Sequence, residues 1–186
     1  MKNNRKRLLI PLLFFVVIII CKGNIFRTFI NYQTIGNRNV TSEQSVRFVD
    51  YLSALPEIKN ANIKAICEKS LEITSAHLNY TFRKCKTDPV SVYENKFTNC
   101  IGYSMFYASI CNHYLNKYKL NEDWKVTPKV GKLYFSGLDI HRLFDQPNFK
   151  DHDFVSVTNQ KTGEKIFLDP TLHDYSGISR IKSVYE

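Results

Sequence analysis

Apolar residues in this chain recur at helical spacing up to about residue 116 and at strand spacing after it. That order is the strongest constraint on the fold. Alternating strands and helices build parallel sheets, whereas helices followed by strands build an α+β domain with an antiparallel sheet. Val46, Val49, Leu52 and Leu55 mark a first helix, opened by Thr41 and Gln44 at capping-box spacing and ended by Pro56. A second helix is predicted from about Asn60 to Phe82, with Ile63, Ile66, Cys67, Ser70, Leu71, Thr74 and Leu78 on its inner face. Residues 83–98 read as a loop with a short strand at Val90–Tyr93. A third helix starts near Cys100, capped by Thr98 or Asn99, and runs to about Asn116. Strand signals follow at Trp124–Val126, Val130–Phe135, Phe154–Thr158 and Lys165–Leu168.

The N-terminus follows a different logic. Residues 1–7 are polar and basic, and Leu8–Ile20 is a charge-free run that includes Pro11. A basic stretch before a short apolar run is the pattern of an export signal. The run is shorter than the ~20 residues of a comfortable membrane span. Residues 1–22 are therefore expected to be a signal peptide or membrane anchor, with the basic end in the cytoplasm and the domain outside. Cys21 adds lipidation as a third fate. Residues 23–40 read as a tether and 41–186 as the domain. The expected location is exported: anchored in the membrane, or free in the periplasm or outside the cell.

The net charge of +9 suggests nucleic acid until the charge is located. Lys2, Arg5, Lys6, Arg7 and Lys22 account for five of those charges, leaving +4 spread among acids. Neither a basic helix face nor an aromatic stacking platform is present, which excludes a nucleic-acid partner. No His, Cys and Asp cluster has zinc spacing, and the glycines form no phosphate loop, so no metal or other cofactor is expected.

The chemistry concentrates in three short segments. Cys100, in Thr98-Asn99-Cys100-Ile101-Gly102-Tyr103-Ser104, falls on the first turn of a helix, where the positive end of the macrodipole favours the reactive thiolate. Such a nucleophile needs a base, and the base needs an orienting group. His152 opens one strand and Asp169 ends the next. Pairing those strands about Asn159–Gly163 sets His152 opposite Asp169, Phe154 opposite Phe167 and Ser156 opposite Lys165, with the imidazole and carboxylate on one face. His141 is a rival base, but no acid follows it at hairpin distance. Cys111 lies within about 20° of the Cys100 face but deeper, and is expected to be inert. His77, His113 and His173 read as structural or exposed. If the chain is exported, Cys67 and Cys85 are the pair left to form a disulfide.

Cys100-Ile101-Gly102-Tyr103-Ser104, His152 and Asp169-Pro170-Thr171 together, in that order, resemble the transglutaminase-like superfamily over roughly residues 65–175. The resemblance implies a papain-like core in which the Cys helix packs on an antiparallel sheet. It implies a Cys100, His152 and Asp169 triad acting on peptide or amide bonds through a thioester. The substrate would be a peptide or protein, cell-wall peptide included. It also implies a second oxyanion donor upstream of the Cys, for which Tyr93 and Asn95 are the candidates. Many members carry a Trp soon after the His, where this chain has Asp153-Phe154. The acyl group would pass to water, or to an amine in a crosslinking reaction. The rival from another class is a non-catalytic, membrane-tethered binding module on the same fold.

Overall fold

A computed structural model describes residues 3–39, 45–146 and 149–185; the side chains of 3–15, 184 and 185 are outside the description. Short polar side chains set most helix starts. Ser45 caps α2 (Val46–Ser53), Asn62 caps α3 (Ile63–His77), and Asp88, with Pro89 in the first turn, starts α4 (Pro89–Asn95). Asn99 caps α5 (Cys100–Lys117), its Oδ1 accepting from the backbone N–H groups of Ile101 (3.1 Å) and Gly102 (3.4 Å). Before these come α1 (Asn3–Phe29) and β1 (Ile30–Asn37), and β2 (Asn79–Tyr80) and β3 (Phe97–Thr98) flank α4. After α5 come β4 (Trp124–Phe135), β5 (Leu138–Asp139), a 3-10 turn (Ile140–Leu143), β6 (His152–Asn159), β7 (Lys165–Leu168), α6 (Pro170–Ser176) and β8 (Ser183–Tyr185).

The molecule is α+β, with helices packed on a largely antiparallel sheet ordered β7-β6-β4-β1-β8, and β5 added to β4. Only β8 joins in parallel, against β1. The helix α5 is buried on nearly every side, as a helix apolar all round must be. Tyr103, Phe106, Tyr107, Ile110 and Tyr114 pack with Ile66 and Leu71 of α3 and with Val155 and Val157 of β6. A smaller cluster of Tyr32, Phe154 and Ile181 joins β1, β6 and the segment before β8. Gly131, paired with His152, leaves the room Phe154 needs, since a Cβ there would meet the Phe154 ring and the Gln33 carbonyl.

Several expectations need correction. Within the expected tether of residues 23–40, Ile30–Asn37 is instead β1, paired with β4. Its alternation is weak because only Tyr32 is fully buried. The proposed cap at Thr41–Gln44 lies outside the described residues. Val46 and Val49 are 78% and 40% exposed; α2 turns Phe48, Tyr51 and Leu52 inward, and Leu55, just past its end, is buried with them. The second helix stops at His77, because Leu78 turns extended and β2 pairs with β3. Val90–Tyr93 is helical, not a strand, following the Asp88-Pro89 start. The two strand signals between Trp124 and Phe135 belong to one strand. All five cysteines are free thiols; Cys67 packs against Cys111 in the core while Cys85 sits on the loop before α4. Among the described residues no helix is long and apolar enough to cross a membrane.

Candidate active site

His152 opens β6 and Asp169 follows β7, and the hairpin joining those strands brings them together. Its four-residue loop is closed by Asn159 and Glu164, and the Asn159 side chain accepts from the N–H groups of Lys161 and Thr162, each at 2.9 Å. The register pairs Val155 with Leu168 and Ser156 with Phe167. It therefore differs by two residues from the predicted pairing: His152 and Asp169 are diagonal neighbours and not directly opposite. A shift of two keeps every side chain on its face, whereas a shift of one would have separated the pair. Phe154 and Phe167 likewise meet diagonally, their ring centroids 6.2 Å apart.

His152 Nε2 and Asp169 Oδ2 are 2.7 Å apart. The Asp169 side chain is 1% exposed and His152 21%. Burial opposes the imidazolium, but the neighbouring carboxylate and the Cys100 thiol outweigh it, and the His152 pKa stands well above its ordinary value. Burial likewise opposes the Asp169 charge, and His152 together with three hydrogen bonds keeps that pKa below the usual range. One of those bonds comes from the Leu172 N–H, which Asp169 Oδ1 accepts at 3.0 Å as the cap of α6. With Nε2 committed to Asp169, Nδ1 is the ring nitrogen left for Cys100. Cys100 itself is buried, 9% exposed, at the start of α5. Gly102 lets Thr98 pack directly on that first turn, where any Cβ would collide with the Thr98 side chain.

Two tyrosines complete the site that sequence reasoning missed. Tyr32 of β1, 1% exposed, donates its hydroxyl to Asp169 Oδ2 at 2.7 Å, and its ring meets the His152 ring edge-on at 6.0 Å. Burial first, then the Asp169 charge, raises its pKa well above the ordinary phenol. The alternation of Ile30, Tyr32 and Thr34 was its only sequence signal. Tyr80 comes to the Cys100 cleft because β2 pairs with β3, setting Tyr80 opposite Thr98, two residues before Cys100. Burial and then the nearby Cys100 push its pKa to about 12, so its hydroxyl remains a donor at neutral pH. Nothing local in the sequence announces that pairing.

Other predicted residues fall elsewhere. Tyr93 packs in a ring cluster with Phe48, Tyr51 and His77, and Asn95 donates to the Ser91 carbonyl; neither lines the Cys100 cleft. His141 is buried in the 3-10 turn, its Nδ1 2.6 Å from the Phe149 carbonyl, away from Cys100. His77 bonds the Tyr93 carbonyl and His173 faces the Ser75 hydroxyl. Asp153, after His152, is fully buried in a bidentate pair with Arg38 (2.8 and 3.1 Å), which ties the end of β1 to β6.

Cys100 opens onto a cleft of about 500 Å3 bordered by Tyr80, Phe82, Arg83, Lys84, Cys85 and Asp151. Among the described residues no group of three or more His, Cys, Asp or Glu side chains could hold a metal ion. A buried thiol, an imidazole held on a carboxylate, and a phenol donor beside one cleft can perform nucleophilic acyl chemistry. No family model matches the chain, and no curated protein or solved structure matches it.

Proposed function

We propose that the protein is a transglutaminase-like cysteine hydrolase with a papain-like core, acting on peptide or amide bonds. The observation that carries this reading is the 2.7 Å contact of His152 Nε2 with the buried Asp169, with the Cys100 thiol on the same imidazole. The Cys100 sulfur adds to the amide carbonyl after its proton passes to His152, and a tetrahedral oxyanion forms. The backbone N–H of Cys100 and the Tyr80 hydroxyl donate to that oxyanion. The C–N bond then breaks, His152 protonates the leaving amine, and a thioester remains on Cys100. Water, deprotonated by His152, attacks the thioester and releases the acid. An amine in place of water would give crosslinking. Asp169 orients the imidazole and stabilises its charged form, and Tyr32 holds Asp169.

Export and membrane attachment belong to the same proposal. They rest on the basic, then apolar, N-terminus, and on Val16–Ile20 in α1, all at least 39% exposed on successive helix faces. The partners are a peptide or protein substrate and the membrane. The test is profiling with a thiol-directed activity probe and hydrolysis assays on peptides and cell-wall fragments, wild type against Cys100→Ala. Labelling and turnover should both disappear in the variant; turnover that persists would overturn the proposal.

A further inference from the structure

The loop between β2 and α4 is tied back onto the strand that runs into Cys100. The Thr81 N–H donates to the Thr98 carbonyl at 2.8 Å, and Thr98 Oγ1 donates to the Lys86 carbonyl at 3.5 Å. The tie holds three cations, Arg83, Lys84 and Lys86, on the loop that borders the Cys100 cleft. Arg83 and Lys84 border both the Cys100 cleft and a neighbouring cavity of about 640 Å3, and Lys86 borders the latter. All three are exposed, and among the described residues none forms an ion pair. The nearby Arg38 differs, because Asp153 holds it bidentately. Asp151, the acid on the Cys100 cleft, has a charge interaction with Arg38, and among the described residues it forms no ion pair with the loop cations.

Three cations outside any described ion pair, set along one groove, concentrate anions there. We infer that the site takes acidic peptides, with Asp or Glu carboxylates beside the scissile bond seated along Arg83, Lys84 and Lys86. The inference rests on the hydrolase reading for where the scissile bond sits, and on the loop charges alone for the preference.

Binding tests it apart from turnover. The full chain in detergent, carrying Cys100→Ala, is titrated with a fluorescein-labelled Glu/Ala peptide, its Gln/Ala counterpart and its Lys/Ala counterpart. The Glu peptide should bind roughly tenfold tighter than the Gln peptide at low salt, and the preference should shrink as salt rises. Arg83→Glu, Lys84→Glu and Lys86→Glu together should transfer the preference to the Lys peptide; Lys84→Gln alone should weaken it without reversing it. Equal binding of the Glu and Gln peptides, no binding of either, or a preference untouched by these variants would overturn the inference. Wild-type hydrolysis keeps the two ideas distinguishable. Equal cleavage of the Glu and Gln peptides would sink the acidic preference and leave the hydrolase standing. Selective binding without cleavage would support the preference and sink the hydrolase.

Discussion

At the first turn of α5, Cys100 meets the His152 ring and a cleft that Tyr80 also lines. Three turns further on, Cys111 lies wholly inside the core beside Cys67, Tyr107 and Ser70, where the hydrogen bond with Cys67 and then burial push its thiol pKa far up. The two residues share a helix and nearly a face. The difference shows that a cysteine's chemistry is set by what tertiary structure brings to its sulfur and by whether solvent or substrate can reach it.

The sharpest way to break that comparison is to remove each sulfur in turn. Cys100→Ala should lower kcat by a factor on the order of 10⁶, while the fold persists. Cys111→Ala should leave turnover near wild type and cost about 1–3 kcal/mol of stability, measured by urea unfolding. Turnover lost in Cys111→Ala, with the fold intact, would mean the wrong thiol has been assigned. Alkylation sharpens the same contrast: iodoacetamide at neutral pH should modify Cys100 in the native protein and reach Cys67 and Cys111 only after denaturation.

The next largest effect concerns what distinguishes the Cys100 end. Asp169→Asn should reduce turnover by roughly 10⁴ through the wrong tautomer. The fold should hold, since Asn also caps helices and α6 keeps its start. The His152 pKa, followed by NMR, should fall, because burial would no longer be offset by the carboxylate. A His152 that titrates as in wild type would deny Asp169 its orienting role.

Tyr32→Phe should act more gently. It keeps the ring against His152 and Phe154 but removes one donor from Asp169 Oδ2. A loss of about 1.5–3 kcal/mol, roughly ten- to a hundredfold in kcat, is expected for a hydrogen bond to a charged group. The Asp169 pKa should rise with it. A purely structural role would lower the melting temperature and leave both kcat and the titrations unmoved.

The smallest effect is the pH dependence of stability. The His152 pKa is raised in the fold, so its contribution is complete below the unfolded value of ~6.5 and fades as pH rises through the folded one. The Asp169 pKa is depressed, so its contribution is complete above ~3.9 and fades as pH falls through the folded value. The pair therefore stabilises most between about pH 4 and 6.5. The melting-temperature difference between wild type and Asp169→Asn should peak in that window; a flat difference across pH would show that the pair carries no such linkage.

Much of this was legible in the chain because its causes are local. The Asn99 cap, the apolar surround of α5, the strand at Lys165–Leu168 and the shared face of His152 and Asp169 all follow from caps and periods spanning a few residues. Asp88-Pro89 was an equally local signal for α4. Period two protected the site from the error in register, since a hairpin two residues out still turns the same side chains inward.

What only the tertiary structure decided came from segments far apart in sequence. Tyr32 reaches Asp169 because β1 inserts between β4 and β8, and Tyr80 reaches Cys100 because β2 pairs with β3. The partner of Cys67 is Cys111 because α3 packs on α5. By itself the sequence determined the α+β class, the capped helix that carries Cys100, and the His152 and Asp169 strands. Caps and periodic patterns act within a few residues and leave their mark in the chain. The pairing of distant strands depends on which arrangement satisfies backbone hydrogen bonds and buries the most apolar surface, and that choice is made by the whole chain at once.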